Sequence, residues 1–269
     1  MPSNVPAIWR RLPSDLDSRI DECIRAGFEY AGQTGKVDLF FRADDVGVPG
    51  MQFARMMGLF AKYGTPLSLA IVPAWLTPDR WRYLSSFENR IPSRWCWHQH
   101  GWRHVNHQAL GKKQEFGDAR SFSEIKRDIM RGKDRLEHLM AEAFYPVFTP
   151  PWNRCSADTL QALKDLDYAA VSRSRGSKPL SPEELPDFYI NVDLHTRKER
   201  SPAAGWRNLM REFEQAIASG YCGIMIHHRM MHAAAFDFLE ILLKALINHQ
   251  QIQLVNFEDL ANQKIFKLL

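Results

Sequence analysis

Residues 95–107, WCWHQHGWRHVNH, hold His98, His100, His104 and His107, four of the ten histidines of the chain. Imidazole binds metal ions, moves protons near neutral pH, or satisfies polar groups inside a core. A metal site needs at least two rings on one side of the chain. His100 and His104 are four apart, so a helical turn after Gly101 would face both rings the same way. His104 with His107, or His98 with His100 along a continuing strand, could also share a face. Packing or capping is the expectation for His98 and His107. Upstream, FRADDVG (41–47) carries Asp44 and Asp45 side by side. Adjacent carboxylates leaving a strand point in different directions, so one can hold a metal while the other takes a proton from water. Two histidines and one aspartate would leave a position open for water, as in catalytic rather than structural zinc, and zinc lowers the pKa of that water to about 7. HExxH, GxSxG, Walker A and GxGxxG sequences are all missing, which removes the commonest rival chemistries.

Groups this far apart in sequence meet only if the fold gathers them. Eight segments read as strands: 37–43, 66–73, 94–99, 144–149, 168–174, 188–195, 221–228 and 252–257. Helices are expected over 49–64, 78–88, 121–143, from about Ser156, and over 205–219 and 234–248. Ser121 and Glu124 have capping-box spacing, and Ser156 is a plausible N-cap. The alternation indicates parallel βαβ units, hence an α/β fold that closes or nearly closes into a barrel; an open doubly wound sheet is the alternative. The polar clusters fall at the C-terminal ends of these strands: Asp44–Asp45, His100 with His104, TPPWN (149–153), Asp193 with His195, and His227–His228. Barrels of parallel strands build active sites on that face.

Bulk composition agrees. A length of 269 residues suits a single α/β barrel, and 45% apolar with 12% aromatic residues can fill its core. The net charge of +4 arises from 35 basic and 31 acidic residues. The densest basic stretches, RRLPSDLD and HTRKER (195–200), read as solvated turns rather than a nucleic-acid footprint. The first residues lack the apolar region of a signal peptide, and no run approaches the ~18 apolar residues of a membrane span. Four scattered cysteines without a CxxC pair suit reduced thiols. The expectation is a cytoplasmic protein with one domain, 1–269, comprising a catalytic core of about 36–260 and an N-terminal helical extension, 1–35, and having neither a nucleic-acid partner nor a membrane span.

A DD pair after the first strand, HxxxH after the third, a Pro-Pro-aromatic turn and a late aliphatic-x-His resemble the polysaccharide deacetylase superfamily, the NodB-homology or carbohydrate esterase family 4 group. The resemblance runs from Asp44 to His228 and implies a distorted (β/α)7 barrel that removes an N-acetyl group from an N-acetylated sugar or glycoconjugate. By position it implies Asp44 as general base, Asp45, His100 and His104 as metal ligands, and His227 as general acid. It also implies that the turn containing Pro151, Trp152 and Asn153 lines the substrate pocket, with the Trp152 N–H donating to the oxyanion. Trp102 and Trp152 could wall a sugar ring, whereas Trp9, Trp81 and Trp206 read as packing residues. Zn²⁺ is the default metal, and Co²⁺, Ni²⁺, Fe²⁺ or Mn²⁺ would also suit these donors. The chain departs from the pattern in three places. Gly101 stands where Ser or Thr usually follows the first metal histidine. Thr149 replaces an arginine that Arg42, Arg154 or Arg173 could substitute. The tryptophan-bearing fourth motif is unrecognisable, with Asp193 a candidate for its acid. Two other readings are hydrolysis of another non-peptide C–N bond in a small metabolite, and carbohydrate binding without catalysis.

Overall fold

The computed structural model describes residues 6–31, 35–87 and 94–268. Residues 1–5 and 32–34 of the expected N-terminal extension, and the last residue of the helix expected over 78–88, lie outside the described residues. The elements run α1 (Leu16–Ala31), β1 (Val37–Val46), α2 (Met51–Lys62), β2 (Leu67–Ile71), α3 (Pro78–Ser85), β3 (Trp95–His100), α4 (Phe122–Met140), β4 (Phe144–Thr149) and α5 (Ala157–Asp165). They continue with β5 (Ala170–Val171), β6 (Val192–Asp193), α6 (Pro202–Ala218), β7 (Tyr221–Ile226), α7 (Ala233–Asn248), β8 (Ile252–Val255) and α8 (Phe257–Leu268).

Local chemistry accounts for most boundaries. α4 opens with the expected capping box: Ser121 Oγ accepts from Glu124 N and Glu124 Oε2 accepts from Ser121 N. α6 starts earlier than expected because Ser201 caps it, accepting from Ala204 N at 3.3 Å, and Pro202 occupies the first turn. The fifth and sixth strands shrink to two residues each. Pro179, Pro182 and Pro186 lie between them and bring no N–H to a ladder, so only isolated bridges form, Val171 with Asp187 and Ser174 with Ile190. α8 is an unanticipated element, opened by Asn256 and Asp259, each accepting from the other's backbone N–H.

Contacts divide the chain into two compact units. The first holds Met1–Ala43, Gly50–Leu67 and Asn191–Val255. Its strands follow the order β8, β1, β7, β6, all parallel, and Trp9, Trp206 and Phe238 pack ring to ring in its core. HTRKER belongs to this unit and is not simply a solvated turn. The Arg197 side chain is only 4% exposed and bonds Glu199 at 2.6 Å and Glu212 at 2.8 Å, two carboxylates that offset its desolvation. The second unit holds Asp44–Pro49, Ser68–Ile190 and Asn256–Leu269. Its strands run β2, β3, β4, β5, with β3, β4 and β5 parallel, over a core of Phe116, Ile125, Ile129, Phe148 and Leu163. His100 ends β3 and pairs in register with Thr149, the last residue of β4. Among the described residues no helix is long and apolar enough to cross a membrane.

Candidate metal centre

Within the second unit, the donor atoms of Asp45, His100 and His104 all lie within 4.8 Å of one another. Asp45 Oδ1 is 3.3 Å from His100 Nε2 and 3.2 Å from His104 Nε2. His100 Nδ1 lies 2.9 Å from the Thr149 carbonyl oxygen, which can only accept. The proton therefore sits on Nδ1 and the Nε2 lone pair faces the aspartate, the arrangement that orients a metal-binding imidazole. Burial and the neighbouring His100 lower the pKa of His104, against the opposing pull of Asp45 and Asp44, so this ring too favours its neutral, ligating form. Two imidazole nitrogens and a carboxylate oxygen fit zinc or another first-row divalent cation.

His104 reaches this position by an unexpected route. No helical turn follows Gly101. Instead Gly101 has φ +57° and His104 φ +60°, and the intervening chain bends. Buried Glu115 holds that bend, accepting from Arg103 N at 2.7 Å, His104 N at 3.1 Å and Trp102 N at 3.3 Å. Burial raises the Glu115 pKa, and the three N–H donors oppose the rise. A side chain at position 101 would have no room. Its Cβ would overlap Glu115 Oε2 and stand 2.6 and 2.7 Å from Pro151 Cγ and Cδ. Glycine thus stands where the resemblance leads one to expect a hydroxyl residue, and a carboxylate from farther along the loop organises the turn. Gln99 adds a second tie, donating from Nε2 to the Gly101 carbonyl at 2.9 Å and to Ile129 O of α4 at 3.2 Å. Neither Glu115 nor Gln99 was singled out in the sequence. Their partners are backbone atoms, which leave no residue-type signature.

Two aromatic rings lie close to His104: Trp152 at 4.5 Å between centroids and Trp75 at 6.0 Å. Trp75, also missed by the sequence reading, sits on a short turn after β2 whose carbonyls accept from Arg135 of α4. Trp152 and Asn153 both have positive φ, 58° and 59°. The hydrogen bonds closing their turn are donated by Asn153 N to Pro150 O and Arg154 N to Pro151 O. Among the described residues six non-glycines have positive φ, and Asp45, His104, Trp152 and Asn153 are four of them. Each such conformation costs about 1–3 kcal/mol and recurs where function constrains the chain.

The remaining expected residues take varied positions. Asp44 is buried at the end of β1. His98 is buried, 2.9 Å from Thr149 Oγ1 and edge-on to Phe257, whereas His107 is exposed. Trp102 packs on the core of its unit, so its ring is partly spent on packing. Arg173 pairs with Asp187 and donates to Pro179 O, while Arg154 donates to Lys113 O. In the first unit, buried Arg42 contacts Met225 Sδ. Asp193 there accepts from His195 N, Thr196 N and the Thr196 hydroxyl. His227 is half-buried and donates its backbone N–H to His195 Nδ1 at 3.4 Å. His228 is buried edge-on to Phe53.

No family model matches the chain, and no curated protein matches it. Solved structures do. A protein of Mycobacterium smegmatis described as a polysaccharide deacetylase superposes with a TM-score of 0.65 at 12% identity, covering 87% of this chain and 92% of its own. The fold is that of the NodB-type deacetylases. The Puue allantoinase matches with a TM-score of 0.61 at 14% identity, over 86% of this chain and 92% of that one. A wild-type carbohydrate esterase family 4 pseudoenzyme of Bacillus anthracis gives 0.53 at 11% identity, over 85% and 66%. The NodB-type architecture, a distorted (β/α)7 barrel, agrees with the sequence expectation.

Proposed function

We propose that the protein is a metal-dependent hydrolase that removes an N-acetyl group from an N-acetylated sugar or glycoconjugate, with Zn²⁺ as the default ion. The observation that carries this reading is the convergence of Asp45, His100 and His104, with His100 held in its ligating tautomer by Thr149 O. These three residues would hold the ion, which when bound supplies Lewis acidity that acidifies a water and draws charge from the acyl oxygen. Asp44, buried beside Asp45, is the proposed base for the attacking water. The Trp152 N–H is the proposed donor to the acyl oxygen as it becomes an oxyanion. Losing one such donor typically costs about 2.7–4 kcal/mol in the barrier. His227, assigned on the family resemblance, protonates the departing nitrogen as the C–N bond breaks. Four buried free cysteines support placing this chemistry in a reducing compartment.

Acetate release from N-acetylhexosamine substrates tests the reading, measured with added Zn²⁺, after chelation, and in Asp44→Asn and Asp45→Asn. Activity should vanish in both variants and after chelation. Metal binding should survive in Asp44→Asn and fail in Asp45→Asn. Turnover that persists in Asp44→Asn and without metal refutes the chemistry. The fold match to an allantoinase favours one alternative, hydrolysis of another C–N bond, which would give an amine or ring-opened product without acetate. The match to a pseudoenzyme favours another, saturable glycan binding without turnover at any metal loading.

A further inference from the structure

We infer that the cleft beside Trp152 binds an anionic group carried by the substrate, a phosphate ester or a carboxylate on the sugar. The cleft has a volume of about 380 Å³, and Lys112, Arg154, Arg175 and Lys178 line it together with Trp152. A fifth cation, Lys113, lies 6.0 Å from the centre of the Trp152 ring. Among the described residues no aspartate or glutamate lines the cleft.

Elsewhere in the same unit, several basic side chains have acidic partners: Arg120 with Asp128, Lys126 with Asp165, Lys164 with Glu184. None of the five cations at the cleft has a carboxylate partner among the described residues; Arg154 donates to a backbone carbonyl. Five positive charges thus gather around one concavity, in a chain whose net charge is +4. Like charges around a low-dielectric wall focus the potential and concentrate anions there. Arginine and lysine are also the side chains that bind phosphate and carboxylate oxygens most strongly.

The location gives the cleft its meaning. Trp152 lines it, and the same ring sits 4.5 Å from the His104 ring. Trp152 is thus shared between the surroundings of a proposed metal ligand and the cleft, and an indole offers an apolar face on which a sugar ring can rest. This assignment rests on the deacetylase reading for calling the ligand a substrate, although binding itself can be measured without turnover.

The test is calorimetric titration of the zinc-loaded full chain with N-acetylglucosamine, N-acetylglucosamine 1-phosphate and N-acetylmuramic acid, at low and moderate salt. One or both anionic sugars should bind at least about tenfold tighter than the neutral one, a gap of about 1.4 kcal/mol, and the advantage should shrink with salt. A phosphate-only or carboxylate-only preference identifies the group. In the double variant Arg175→Glu/Lys178→Glu the advantage should vanish while the neutral sugar binds as before; with an active enzyme the loss should appear in KM and not in kcat. Equal affinity for all three sugars, or a preference that survives the double charge reversal, overturns the assignment. Anion preference lost in the variant without acetate release from any sugar supports the cleft and rejects the deacetylase reading. Acetate release without anion preference does the reverse.

Discussion

Replacing Gly101 by alanine adds one methyl group next in the chain to His100, a proposed metal ligand. At φ +57° an L-residue pays about 1–2 kcal/mol for the left-handed conformation. The new Cβ would overlap Glu115 Oε2 and press on Pro151 Cγ and Cδ at 2.6 and 2.7 Å. Overpacking of this kind costs about 1–3 kcal/mol. The expected loss is therefore about 2–5 kcal/mol, or roughly 5–15 °C in Tm for a chain of this size. The clash is with the carboxylate that orients the 102–104 backbone, so relief by moving Glu115 displaces His104. Thermal unfolding and Co²⁺ titration read the two effects separately, the second through the visible d–d bands of the bound ion. Gly101→Ser, which introduces the hydroxyl residue that the resemblance leads one to expect, should fail in the same way. A Tm within 2 °C of the parent together with unchanged Co²⁺ bands in either variant would show that Glu115 does not hold the loop as described.

Two further outcomes follow from burial. His195 is buried, and desolvation, with His227, His232 and His228 nearby, pushes its pKa well below the ordinary ~6.5. The unfolded chain takes up a proton there below about pH 6.5 and the folded chain does not, so stability falls as pH falls. Relative to His195→Phe, the parent should lose about 1.4 kcal/mol per pH unit below that point in urea unfolding, and parallel pH profiles would contradict it. All four cysteines are buried, and burial pushes the Cys23 and Cys155 thiols up to about 12 and about 11. No thiol of the native protein should react quickly with a disulfide reagent at pH 8, and all four should react in denaturant; a fast native thiol contradicts the packing.

Much of the scaffold was legible because hydrophobic period and capping chemistry are local. Ser121 with Glu124, and the apolar run of β1, need no distant partner to be read. The short strands β5 and β6 escaped because their limits are set by prolines between them, Pro179, Pro182 and Pro186, and not by apolar content. The pairing of His100 and His104 was legible from spacing, yet the expected helical turn is a left-handed bend. Nothing in the spacing distinguishes the two. What decides is the carboxylate of Glu115, eleven residues beyond His104, and its bonds run to main-chain amides. Trp75 was missed for a related reason: it reaches His104 by way of a turn between β2 and α3.

The stretch from Gly101 to Arg120 supplies a proposed ligand, the carboxylate that shapes the ligand's turn, and Lys112 and Lys113 at the basic cleft. The proposed ion site and the proposed anion cleft thereby share one short stretch of the chain. A protease cut within it would disturb both together, whereas a graft of the same twenty residues would leave behind Asp45, His100, Trp152 and three of the basic side chains.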